Sequence, residues 1–235
     1  MEMRRIVVST GAGVSAESGM PTYRDAGGLW ENYPVMEVAS HTGFLKNREL
    51  IHEFYSNMRT NLVNNIKPNA AHIALAQMEQ DFDMQIITQN VDDLHERAGS
   101  SRVLHLHGEL MKMRSETHPE RIYTLPCDQL TDRGLITSVN TRDPYGDPVR
   151  PHIVFFEEAV PNFEPACRMV MDADVLVIIG TSLVVYPAAS LIQYARENTP
   201  IYYIDPRPVH VPSFVNVIAK PATEGVQELW QILKK

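Results

Sequence analysis

The chain has 235 residues, of which 44% are hydrophobic and 21% charged, and a formal net charge of −8. That is the composition of a soluble globular protein large enough for one sizeable core with an insertion. The acidic balance argues against nucleic acid as a partner, no apolar run is long enough to span a membrane, and two distant cysteines, Cys127 and Cys167, make neither a disulfide framework nor a Cys-x-x-Cys metal pair. Met1–Arg4 runs straight into a strand with no room for a signal peptide, so a cytoplasmic location is expected.

The first strand is Arg5–Ser9, a β-branched apolar run that ends in Thr10-Gly11-Ala12-Gly13. Small residues between a strand and a helix-forming stretch let a backbone approach a phosphate and offer it free N–H groups. The spacing departs from the dinucleotide fingerprint, because Ala16 stands where a third Gly is wanted. On these residues alone a ligand-free turn is an equal reading. Ser15, Ser18 and Arg24 add polar groups, and the glycine-rich Asp25–Trp30 suits a lid.

Val35–Arg59 reads as helical, with a break at Gly43 and a cap at Asn47, and Asn69 caps a helix over Ala70–Glu79. Met84–Thr88 is the next strand, leading into Gln89, Asn90 and Asp92, where open α/β sheets hold ligands. A capped loop is the bland alternative, although the cluster is more polar than a cap requires. Arg102–Glu109 alternates like a strand and places His107 at its end, suited to moving protons near neutral pH. His105 shares its face, but no further ligand cluster supports metal binding.

Lys112–Asp147, with Pro119, Pro126 and Pro144, loses periodicity and reads as an inserted loop-rich module. Val149–Glu158 restores a strand. Asp174–Ile179 is a continuous apolar strand of the parallel-sheet kind, ending at Gly180-Thr181-Ser182, and a helix begins near Pro187. Ile201–Asp205 is a strand ending in a carboxylate, which favours ribose hydroxyls over a phosphorylated ribose and hence NAD over NADP. A strand at Val215–Ile218 and a helix over Thr223–Leu233 close the chain. The alternation predicts an α/β fold, a doubly wound Rossmann-like parallel sheet with a small inserted helical and loop-rich subdomain. The expected division gives 1–30, 81–110 and 149–235 to the nucleotide-binding domain and 31–80 and 111–148 to the insertions.

Five blocks, GAGVSAESGMPTYR, TQNVDDLHERAGS, HLHGE, RPHIVFFEE and GTSLVVYPAA, occur in an order that resembles the sirtuins, the NAD-dependent protein-lysine deacylases. The resemblance implies NAD as co-substrate, acylated lysines of proteins as partners, and a monomer or weak oligomer. It implies NAD contacts at Gly11, Ala12, Gly13, Ser15, Tyr23, Arg24, Gln89, Asn90, Asp92, Gly180, Thr181 and Ser182, with Asp205 added from the strand reading. His107 matches the catalytic histidine, and Asn90 and Asp92 position ribose and nicotinamide. In the family's chemistry nicotinamide leaves, and the acyl group ends on a ribose hydroxyl. The substrate backbone is expected as an added strand between Phe156–Glu158 and Leu183–Val185.

The chain departs from that family at three places. The interval where the family carries four zinc cysteines holds only Cys127, so no zinc is expected and packing must hold the insert. Glu157 replaces a Gly, and either disturbs substrate pairing or selects basic neighbours. The branch that removes acidic acyl groups carries Tyr-x-x-Arg; here Tyr55 matches, Met58 takes the Arg place, and Arg59 follows. Arg59 either reaches the acyl carboxylate, which leans the expectation toward succinyl and malonyl as well as acetyl groups, or is a solvated surface arginine.

Overall fold

The computed structural model describes residues 3–20 and 33–235. Its strands are β1 (Arg5–Thr10), β2 (Asp83–Thr88), β3 (Val103–His105), β4 (Gly108–Ser115), β5 (Ile122–Thr124), β6 (Val149–Ile153), β7 (Val175–Ile179), β8 (Ile201–Ile204) and β9 (Val215–Ile218). The helices are α1 (Gly13–Ala16), α2 (Val35–Val38), α3 (His41–Lys46), α4 (Arg48–Asn65), α5 (Ala70–Gln77), α6 (Leu94–Ala98), α7 (Phe163–Met171) and α8 (Ala222–Leu233). None of them is long and apolar enough to cross a membrane.

A six-stranded parallel sheet has the order β3-β2-β1-β7-β8-β9. Its central strands are buried on both faces, which is why β7 is wholly apolar. One face packs Ile6, Val8, Val177 and Ile179 against Ala71, Leu75 and Met78 from α5 and its end and Val226 and Leu229 from α8. The other packs Val7, Leu176 and Tyr203 against Ala166 and Val170 of α7 and Leu191 of a 3-10 helix, Ala188–Tyr194. Gly225 lets α8 sit on the sheet, since a Cβ there would lie 2.3 Å from Ile204 Cγ2.

The strand order reverses between β1 and β7, so the crevice beyond their C-terminal ends is the topological switch point. Both expected caps form: the Asn47 side chain accepts from Leu50 N, and Asn69 makes a reciprocal box with His72.

The insertions divide differently from the expected boundaries. Within 31–80, α2–α4 build a separate apolar cluster with Leu94, Leu110, Ile153 and Phe155, while α5 belongs to the main sheet. Within 149–235, β6 pairs with β4, not with the parallel sheet. The stretch read as aperiodic, Lys112–Asp147, holds the end of β4 and all of β5, which with β6 form a three-stranded antiparallel sheet, β5-β4-β6. The β4–β6 register shifts between Gly108 and Met113, and β5 spans only three residues.

Candidate active site

The turns after β1 and β7 close on each other. Gly11 N donates to Ile179 O at 2.9 Å and Gly13 N to Gly180 O at 2.8 Å. A Cβ on Gly13 would meet Gly180 Cα at 2.7 Å, and Gly180 itself has φ +60°. These glycines therefore serve close approach of two turns. Their amides and those of Val14 and Ser15 bond within the protein, and α1 is a single turn, which corrects the expectation of free N–H groups at the helix start.

The turn after β2 joins them. Gln89 N donates to Thr10 O, and Gln89 Nε2 lies 3.4 Å from Thr181 Oγ1. Thr88 Oγ1 receives both the Thr10 hydroxyl and Asn90 N, fixing the Asn90 backbone. Together these turns open onto a cleft of about 850 Å³. Gly11, Ala12, Gly13, Gln89, Asn90, His107, Gly180, Thr181, Ser182 and Asp205 line it, as do Tyr55, Phe156, Glu158 and Val184. Asp205 follows β8, and its Oδ1 accepts from Arg207 N at 2.8 Å, which orients the carboxylate.

Ser15 and Asp92 stand one layer behind the wall. Both are buried, and neither lines the cleft. Ser15 Oγ donates to Asp92 Oδ2 at 3.1 Å and accepts from Asn90 Nδ2 at 3.0 Å. His72 Nε2 approaches the same oxygen at 3.4 Å, while its Nδ1 accepts from Asn69 N, so Nε2 carries the proton. The Ser15 hydroxyl thus has its one proton aimed at Asp92. Burial pushes the Asp92 carboxyl up to about 6 and the His72 imidazole down to about 4. Sequence reasoning missed His72; the Asn-x-x-His spacing of the helix start was its only trace.

His107 lies between β3 and β4. Its Nδ1 donates to Gln89 O at 2.9 Å, which fixes the tautomer and leaves Nε2 as the basic nitrogen. Burial lowers its pKa below 6.5, with the Gln89 carbonyl opposing, so the ring is neutral at pH 7. His105 does not join it as a metal ligand. Its Nδ1 donates to Asn90 O and its Nε2 lies 2.8 Å from Glu96 Oε1. Burial lowers the His105 pKa, but Glu96 outweighs burial and raises it overall.

Several expectations are corrected. Arg59 is fully buried and outside the cleft: Nε donates to Leu135 O at 2.8 Å, and Nη2 to Ser56 Oγ at 3.0 Å and Thr137 Oγ1 at 2.9 Å. It is neither an acyl ligand nor a solvated surface group; it latches α4 to the segment after β5. Met58, not Arg59, faces the cleft beside Tyr55. Leu183 packs against the core behind the wall, leaving Val184 and Val185 to line it.

Glu158 is held by Arg150 at 2.6 Å, His41 at 3.0 Å and Phe155 N at 2.9 Å, so its carboxylate ties the wall together. Glu157, at φ +75°, accepts from Thr42 N and Thr42 Oγ1 near the start of α3. Tyr23, Arg24 and the glycine-rich Asp25–Trp30 lie outside the described residues.

Among the described residues no group of three or more His, Cys, Asp or Glu is placed to hold a metal ion. The insert is held instead by an apolar cluster of Met113, Tyr123, Leu125, Leu130 and Val149, by Arg121 paired with Asp143 and Asp147, and by the Arg59 latch.

Residues 11–187 match the model of the Sir2 family. The chain is 47% identical over 233 residues to an NAD-dependent protein deacylase of Bacteroides thetaiotaomicron, covering 98% of each. It is 48% identical over 229 residues to one of Helicobacter pylori, covering 97% of this chain and 96% of that one. Among solved structures it is similar to a Sir2 homolog–NAD complex, with TM-score 0.84 and 36% identity over 99% of this chain and 90% of the other. A Sir2 protein with deacetylated p53 peptide and 3′-O-acetyl ADP-ribose aligns with TM-score 0.82 and 28% identity over 98% and 94%. Paired glycine turns at a switch point, a neutral histidine over the crevice and these matches agree: the chain belongs to the Sir2 family.

Proposed function

We propose that the chain is an NAD-dependent protein-lysine deacylase that transfers the acyl group to ADP-ribose and frees nicotinamide. The observation that carries this reading is His107 beside Asn90 in the cleft wall, its Nδ1 committed to Gln89 O and its Nε2 left as a base. The residues fit NAD: the Gly11–Gly13 and Gly180–Ser182 turns, packed against each other, line a cleft of about 850 Å³, which suits a dinucleotide with a side chain. Gly11–Gly13 and Gly180–Ser182 flank the place for the pyrophosphate, and Asp205 faces the place for the adenosine ribose.

NAD supplies the electrophilic ribose carbon. Asn90, held by Ser15, orients the nicotinamide ribose, and Asp92 fixes Ser15 from behind. His107 Nε2 takes a proton from a ribose hydroxyl, and the neutral ring needs no prior deprotonation at pH 7. The peptide backbone lies between Phe156 and Val184, both exposed and both on the cleft wall. Acylated proteins are the partners, and NAD is preferred to NADP.

The test is mass spectrometry of an acyl-lysine peptide with NAD, for wild type and His107→Ala. Loss of the acyl mass with one nicotinamide per lysine is expected, reduced roughly 100- to 10,000-fold in the variant. Gain of ADP-ribose mass on the peptide would replace this reading with ADP-ribosyl transfer.

A further inference from the structure

Two histidines grip consecutive carbonyls of the turn after β2. His107 Nδ1 donates to Gln89 O at 2.9 Å, and His105 Nδ1 donates to Asn90 O at 3.0 Å. Strand register explains the second contact. β3 lies parallel to β2 with His105 opposite Thr88, and these two partners hold one residue from both sides. Thr88 Oγ1 accepts from Asn90 N, and His105 donates to Asn90 O. Asn90 lines the cleft; His105 is buried and does not.

His105 cannot make its contacts as a neutral imidazole. Its Nε2 lies 2.8 Å from Glu96 Oε1, and a carbonyl and a carboxylate only accept, so both ring nitrogens carry protons. Burial raises the Glu96 carboxyl, but the bond from His105 outweighs burial and its pKa is lowered overall, so it is ionised at pH 7. The other charges around the ring are placed as follows. Glu109 of β4 favours the cation, and Lys112 of the same strand pairs with Glu109 at 2.8 Å. Asp92 of the turn and His95 of α6 also feel its charge, and burial keeps His95 neutral. Asn162, at the start of α7, donates to His105 O and orients the strand end without charge.

We propose that His105 is a positioning residue for NAD cleavage, an imidazolium strung between Glu96 and the Asn90 carbonyl that holds the ribose-binding turn in register with His107. The proposal rests on the deacylase reading. His105 acts through Asn90. Loss of its proton leaves one N–H for two acceptors, so either the turn or the carboxylate is released.

The experiment reads the ring directly. In a nitrogen NMR titration of the wild-type protein, His105 is expected to keep both protons in most molecules at pH 6.5, the ordinary midpoint of a histidine, and to lose one at lower pH in Glu96→Gln. Calorimetry should show His105→Leu binding NAD about tenfold or more weakly, with the peptide KM unchanged. The wild-type kcat/KM for NAD should fall as pH rises through the His105 titration, and this limb should be absent from His105→Leu. A His105 that is neutral at pH 6.5 overturns the proposal and leaves the deacylase reading intact, whether or not the leucine variant folds. Wild-type NAD affinity in a folded His105→Leu overturns it as well. No acyl group removed from any peptide by wild type overturns both.

Discussion

Arg59→Met separates a structural latch from an acyl ligand. The guanidinium is fully buried, and burial lowers its pKa from 12.5 to about 10. A folded pKa below the unfolded one means that the cation disfavours folding at neutral pH. At about 1.4 kcal/mol per pH unit this costs roughly 3 kcal/mol, which the methionine would recover. Against it stand hydrogen bonds to Leu135 O, Ser56 Oγ and Thr137 Oγ1, each worth about 1.5–3 kcal/mol from a charged donor. The variant removes the guanidinium donor from Leu135 O, whereas Ser56 Oγ keeps Thr137 N and Thr137 Oγ1 keeps His52 Nδ1. The net expectation is a loss of about 3 kcal/mol, and for 235 residues a Tm lower by roughly 6–12 °C. Thermal unfolding by circular dichroism measures this, and a parallel assay compares acetyl and succinyl peptides, whose ratio should not change. An unchanged Tm with a selective loss of succinyl activity would return Arg59 to the cleft and refute the latch.

Asp92→Asn is expected to stabilise the fold while disabling it. With a folded pKa raised to about 6 from 3.8, Asp92 contributes most stability below pH 3.8 and loses it as pH rises through 6. The variant should therefore gain about 1–3 kcal/mol at pH 8 and nothing near pH 4, with turnover down about tenfold or more; equal Tm at pH 8 would argue against the buried charge. Gly13→Ala drives a Cβ against Gly180 and should weaken NAD binding by about tenfold or more, read by calorimetry, with wild-type affinity contradicting the two-turn cradle. A metal chelator should change neither Tm nor turnover, because the insert is held by Arg121, Asp143, Asp147 and an apolar cluster; a chelator-induced fall in Tm would reveal a metal.

The parallel sheet was legible because each strand is a short apolar run closed by small or polar residues, and β7 could be little else. The caps were legible because Asn47 and Asn69 act locally, within three residues. The antiparallel insert was not, because most of Lys112–Asp147 is turn and loop and the one strand wholly within it, β5, spans three residues. Arg59 was not, for a geometric reason: three and four residues after Tyr55 fall on opposite flanks of its helix face. One flank meets the cleft and the other meets Thr137, and only the long-range placement of residues 135–137 decides which. Ser15 and Asp92 were found as polar groups, but their position one layer back depends on α5 bringing His72 beneath them.

A crystal soaked in NAD tests the central claim most directly. The pyrophosphate is expected against the cleft face of the Gly11–Gly13 and Gly180–Ser182 turns, and a nicotinamide-ribose hydroxyl within hydrogen-bond reach of His107 Nε2. A dinucleotide bound outside this crevice, or bound in it with the ribose away from His107, would contradict it.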